Sequence, residues 1–151
     1  MDRITGYEFL TRDDLEETKQ LIYVGGYKYQ SRCDMVYFTG ITGYTIVTDL
    51  VTLRPDGWML VSKYFAWNGA NHPAIDTKSN MRGSQAHDAL AALMRMGLLP
   101  VSCVKPSNAV IRRLMIDDGA WRFRANLYQK VLDKTEYWAR PNGSKDILTA
   151  P

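Results

Sequence analysis

An imidazole beside a carboxylate, His87-Asp88 in the run Gln85-Ala-His-Asp-Ala-Leu90, is the pairing in this sequence with the widest chemical reach. Such a pair can hold a divalent metal, zinc or manganese by its donor set, or serve as base and orienter in a proton transfer. The other histidine, His72, lies beside Pro73 and close to Asp76, in a polar stretch whose side chains are free to converge on a ligand. Should His72, Asp76, His87 and Asp88 meet in space, they would make a mixed nitrogen and oxygen site. Asn68 and Asn71 follow Trp67, where polar side chains reach a ligand or cap a turn. Lys78 and Arg82 could hold an anion near the same mouth. Each has a plainer alternative: a buried histidine satisfied by a neighbour, a surface-loop histidine, turn-forming asparagines next to glycine, solvated cations. Neither Cys33 nor Cys103 has a His or Asp partner in sequence or a C-x-x-C spacing. Gly-x-Ser-x-Gly and the glycine-rich phosphate loop are also absent from the sequence.

The elements that must position these residues are readable in outline. Thr11 followed by Asp13, Asp14, Glu16 and Glu17 predicts a short N-terminal helix with a threonine cap and acidic first turn, ended by Gly25-Gly26. From Tyr27 the β-branched and aromatic texture predicts strands over 27–30, 35–39, 44–53 and 58–65. Arg54-Pro55-Asp56-Gly57 between two apolar runs predicts a β-hairpin. The nearly continuous apolar run Trp58–Trp67 predicts a strand buried on both faces, or covered by helices on one side, delivering the chain to Asn68-Gly69. A helix is expected over 81–96, capped by Ser79 or Ser84 and stopped by Gly97. His87, Leu90 and Met94 share one face of it, so His87 should point inward.

A second helix is expected to begin at Pro106-Ser-Asn108 and stop at Asp117-Asp-Gly119, with Asn108, Ile111 and Met115 aligned and Arg112 and Arg113 facing water. A third, 121–132, places Trp121, Ala125, Tyr128 and Leu132 on one stripe. The order predicts an α+β domain: an antiparallel β-meander followed by three helices packed on the sheet, with a short N-terminal helix. Residues 1–26 read as an extension, 27–140 as a single domain and 141–151 as a loose tail.

A chain of 151 residues, 46% hydrophobic and 23% charged, is long enough for one buried core and too apolar for global disorder. A formal charge of +3 on dispersed cations demands no nucleic acid as partner, and a protein partner or homo-oligomer stays open. The first residues lack a signal-peptide pattern, and no apolar run approaches the roughly 18 residues of a membrane span.

At these residues the chain resembles a family of small bacteriophage and prophage proteins, the DUF1353 type. The resemblance rests on Asp49-Leu-Val-Thr-Leu-Arg-Pro-Asp-Gly57, Tyr64-Phe-Ala-Trp-Asn-Gly-Ala70, Pro73-Ala-Ile-Asp-Thr-Lys78, Met81-Arg-Gly-Ser84, His87-Asp-Ala-Leu90 and Leu93-Met-Arg-Met-Gly97, within about residues 27–140. It implies a phage origin, with the product in the host cytoplasm or in the virion. It also implies an aspartate after the tryptophan and an acidic position early in the second helix. This chain carries Asn68 and Asn108 there, so a carboxylate-rich site would lose two charges. Two functions follow as expectations. One is an accessory protein with a small hydrolase-like site built on His87 and Asp88, with or without a divalent metal, acting on cell-wall or nucleotide-type substrates. The other is a non-catalytic virion component or host-factor-binding protein in which the motif is degenerate.

Overall fold

The computed structural model describes residues 4–25, 28–69, 77–134 and 139. In chain order its elements are α1 (Gly6–Leu10), β1 (Tyr23–Val24), β2 (Tyr29–Ser31), β3 (Met35–Phe38), β4 (Ile46–Val47), β5 (Val51–Leu53), β6 (Trp58–Val61), β7 (Ala66–Trp67), α2 (Lys78–Arg95), a 3₁₀ turn (Val101–Cys103), α3 (Val104–Asp117) and α4 (Arg122–Asp133). The strands form two antiparallel sheets, ordered β1-β2-β7 and β3-β6-β5-β4. This is an α+β fold, with three helices following the strands.

The hairpin at Arg54–Gly57 joins β5 to β6, in the register Val51 with Val61 and Leu53 with Met59. Gly57 N–H closes the turn on Arg54 C=O at 3.0 Å, and the Asp56 carboxylate takes both Arg54 Nε (3.1 Å) and Nη2 (2.7 Å). Met59, Leu60 and Val61 are all fully buried, as a strand covered on both faces requires.

Two apolar runs that read as single strands are each broken by local chemistry. Within 44–53, Thr48 Oγ1 donates to Val51 C=O (2.7 Å) and accepts Val51 N–H (2.9 Å), folding β4 back onto β5. Within 58–65 the strand stops at Val61. Asp34 accepts Lys63 N–H at 2.7 Å, Tyr64 takes φ +80°, and the chain crosses to the other sheet as β7.

The N-terminal helix lies earlier than expected. It spans Gly6–Leu10 and is capped by Thr5, whose Oγ1 accepts Glu8 N–H at 3.1 Å. Residues 12–22 run instead along the open edge of β3. Thr18 N–H donates to Val36 C=O (2.9 Å), Thr18 Oγ1 accepts Val36 N–H (2.8 Å) and Glu17 Oε2 accepts Phe38 N–H (2.9 Å). A helix over these residues would bury only Leu15, Leu21 and Ile22, whereas the edge strand presents backbone groups that need partners. The Arg54 guanidinium, bonded to the carbonyls of Phe9 and Arg12, ties the end of α1 to the hairpin.

α2 is the central element: 13 of its 18 residues are buried. It starts at Lys78, three residues before its first apolar position, Met81, because Asn80 Oδ1 reaches back to Thr77 N–H at 2.9 Å, the reciprocal half of a capping box. It ends in a Schellman motif, with Leu98 N–H on Leu93 C=O and Gly97 N–H on Met94 C=O, both 3.0 Å, and Gly97 at φ +74°. Ala86, Ala89, Leu90, Leu93 and Met94 pack with Met35, Val51, Met59 and Val61 in the main core. Burying each leucine contributes about 2 kcal/mol. A second cluster, Ile111, Met115, Ala125, Tyr128 and Leu132, joins α3 to α4.

α2 packs tightly on α3 at Gly83, where a Cβ would lie 3.0 Å from Ile111 Cγ1 and 3.1 Å from Ile111 O. The carbonyl belongs to the α3 backbone and cannot step aside alone. Gly83→Ala is therefore expected to lose about 1 kcal/mol of stability despite the better helix propensity of alanine, and Gly83→Val more. Thermal denaturation of the two variants checks this order; a Gly83→Ala protein more stable than the parent would show that the helices separate without cost.

Candidate functional site

A helix buried on most of its surface must find a partner for each polar side chain it carries, and those partners define the polar centre of this protein. Along α2, Ser84 Oγ accepts Trp67 Nε1–H at 3.0 Å and donates to Met81 C=O at 2.9 Å, locking the end of β7 to the helix. Gln85 Oε1 accepts the fully buried Tyr37 hydroxyl at 2.5 Å, and its Nε2 has no hydrogen-bond partner among the described residues. Burial pushes the Tyr37 phenol well above its usual range, so it stays a neutral donor.

His87 points inward, as its spacing with Leu90 and Met94 predicts. Its Nε2 lies 2.8 Å from Asn108 Oδ1, and Asn108 Nδ2 donates to Asp133 Oδ1, also at 2.8 Å. Three helices thus meet in one polar relay, His87 on α2, Asn108 on α3 and Asp133 on α4. A carboxylate only accepts, so the Asn108 amide must turn its NH2 toward Asp133 and its oxygen toward His87. The proton of the neutral imidazole therefore sits on Nε2. Burial pulls the His87 pKa down to about 4, the charge of Arg95 acts in the same direction, and the Asn108 hydrogen bond opposes them. The imidazole is neutral at physiological pH.

The Asp88 carboxylate lies beside the other ring nitrogen, with Oδ1 4.0 Å from Nδ1. The orienter of His87 is therefore Asn108, backed by Asp133, with Asp88 outside hydrogen-bond distance of that nitrogen. Asp133 is the residue that reading the sequence missed. A signal for it exists: an acidic side chain in the last turn of a helix sits at the negative end of the dipole and calls for a compensating partner. At position 108, where the resemblance implies an acidic residue, the amide of Asn108 donates to the Asp133 carboxylate.

The remaining candidates are distributed as follows. Asn68 is exposed just past β7. Asn71, His72 and Asp76 lie outside the described residues. Lys78, the exposed first residue of α2, and Arg82 line one cleft of about 420 Å³ together with Lys19, Tyr23, Met81 and Asp118. Arg82 is not a solvated cation. Only 3% of its side chain is exposed, and it donates Nε and Nη2 to the Asp118 carboxylate (3.0 and 2.9 Å) and Nη1 to Thr18 C=O (2.6 Å). Its fork geometry is taken up in joining α2, the end of α3 and the N-terminal segment.

Arg113, expected in water, likewise donates to both oxygens of Glu17 (2.8 and 2.7 Å), to Asp117 (3.1 Å) and to Phe38 C=O (2.7 Å). Trp121, expected on the inner stripe of the last helix, is 82% exposed because it precedes the helix as its N-cap. Cys33 and Cys103 are free thiols. Among the described residues no group of three or more His, Cys, Asp or Glu could hold a metal, so a zinc or manganese site on His87 and Asp88 would need ligands from elsewhere. No family model, no curated protein and no solved structure matches this chain.

Proposed function

We propose that this chain is a phage-encoded accessory protein with a small hydrolase-like polar site at the strand–loop–helix corner, in which His87 is the proton acceptor. The observation that carries the reading is the His87–Asn108–Asp133 relay. It fixes the proton on Nε2 and leaves Nδ1 as the basic nitrogen of a neutral ring held in one orientation by two successive hydrogen bonds. That is the preparation a general base needs, although a pKa of about 4 makes the base a weak one. The phage origin rests on the motif resemblance alone. Cell-wall and nucleotide-type substrates suit that origin.

The test is hydrolysis of purified peptidoglycan and of nucleotides by the parent protein and by His87→Gln. The expected result is turnover by the parent and a loss of about a hundredfold or more in a His87→Gln protein that remains folded. Equal turnover by the two would end the assignment of His87 as base. Titration with zinc and manganese, read by thermal stability, separates the metal-dependent version; no stabilisation by either ion would remove it.

A second reading is favoured by the same low pKa. The relay also pins three helices together, and a histidine that stays neutral to about pH 4 is well suited to a purely architectural position. In that reading the chain is a non-catalytic virion component or host-factor-binding protein. Mass spectrometry of purified particles, with no turnover of either substrate class in solution, would favour it.

A further inference from the structure

The net charge of this chain is concentrated on one helix. Between Trp121 and Lys134, Arg122, Arg124, Lys130 and Lys134 stand against Asp133 alone. Four cations against one anion give this segment the whole formal charge of the protein, +3, and leave the remaining residues balanced. The same segment carries the two most exposed large apolar side chains among the described residues, Trp121 at 82% and Phe123 at 78%, and also Leu127 at 46%. The inner face of α4 is already used, since Ala125, Tyr128 and Leu132 are buried against Ile111 and Met115. Phe123, Leu127, Lys130 and Lys134, spaced i, i+4, i+7 and i+11, run down the outer face, apolar first and cationic after.

We propose that this outer face of α4 docks on an anionic lipid surface. An apolar patch surrounded by cations matches a bilayer interface. Trp, Phe and Leu enter the boundary between headgroups and acyl chains, and Lys and Arg stay at the level of the phosphates. A second copy of this chain is a poor occupant, because it would bring the same positive charge to the contact. Nucleic acid would use the cations and could stack on the aromatic rings, but it gains nothing from an aliphatic side chain in line with them. The contact is peripheral, as no helix among the described residues is long and apolar enough to cross a membrane. None of the docking side chains belongs to the His87 relay, so this proposal and the catalytic reading can fail independently.

The experiment is co-sedimentation of the full chain with vesicles of phosphatidylcholine alone and of phosphatidylcholine mixed with phosphatidylglycerol, at low and high salt. Binding is expected only to the mixed vesicles and should weaken with salt. Lys130→Ala and Lys134→Ala should each lower the affinity about fivefold, and Trp121→Ser with Phe123→Ser by on the order of tenfold or more. All four positions are exposed, and circular dichroism confirms that the variants are folded. Absence of binding to the mixed vesicles, equal binding to both kinds, affinities unchanged in the variants, or binding to a duplex oligonucleotide in preference to the vesicles would each overturn the proposal.

Discussion

Arg82→Met is expected to destabilise the protein by about 3 kcal/mol, among the largest losses from any single substitution outside the apolar core. The side chain is 3% exposed and makes three charge-assisted hydrogen bonds, two of them a bidentate fork on Asp118. Methionine refills much of the volume but leaves the Thr18 carbonyl and the Asp118 carboxylate without their donor. Asp118 is 20% exposed and recovers part of its hydration, which places the loss at the lower end for a broken buried pair. Asp118→Asn should cost a comparable amount, because it removes the counter-charge and one acceptor of the more deeply buried partner. Urea unfolding of the two single variants and the double variant measures the coupling. The double variant should lose clearly less than the two single losses added together, and strict additivity would mean that the pair contributes nothing as a pair.

His87 should make stability fall by about 3 kcal/mol between pH 6.5 and pH 4, independently of any activity. The sign follows from its pKa, which lies near 6.5 in the unfolded chain and at about 4 in the fold. Between those values the unfolded state binds a proton that the folded state does not, so acidification favours unfolding. Above 6.5 both states are neutral and the histidine contributes no pH dependence; below about 4 both are protonated and the loss is complete. Glu17 adds to acid sensitivity from about its unfolded value of 4.5 downward, overlapping the acid end of the His87 window. Burial pushes its carboxyl up, but the hydrogen bonds from Arg113 and Phe38 outweigh that and hold it below the usual range of 4.5. The two are separated by comparing the parent with His87→Gln, which cannot titrate. The variant should be less stable at neutral pH, having lost the fit to Asn108, and should show a flatter profile from pH 6.5 to 4. Identical slopes would show that His87 is hydrated in solution and that the relay does not hold. Nitrogen NMR of the ring supplies a second check, with the proton expected on Nε2.

Much of the fold was legible because its signals are local. The Arg54–Gly57 turn, the uninterrupted apolar run of β6, the glycine after α2 and the inward face shared by His87, Leu90 and Met94 each follow from a few adjacent residues. The failures share one cause. The cap-like Thr11 and its acidic followers carry a real helix-start signal, yet residues 12–22 gain more by hydrogen bonding the open edge of β3. The breaks at Thr48 and after Val61 depend on one side chain bonding its own turn and on Asp34, far back in sequence, reaching Lys63. Arg112 and Arg113 look alike in sequence, and only packing against the N-terminal segment sets Arg113 on Glu17.

The sequence by itself determined the α+β order, the ends of the last three helices within a few residues and the placement of His87 on a buried face. Those properties depend on periodicity and end signals within one element. The tertiary structure decided which polar groups meet. It set Asp133 behind Asn108, 25 residues away, and Asp118 on Arg82, 36 residues away, while leaving Asp88 at 4.0 Å from the ring it adjoins in sequence. The physical reason is that a charge or amide buried on a central helix must be satisfied by whatever the neighbouring helices present at that depth, and sequence spacing carries no record of that depth.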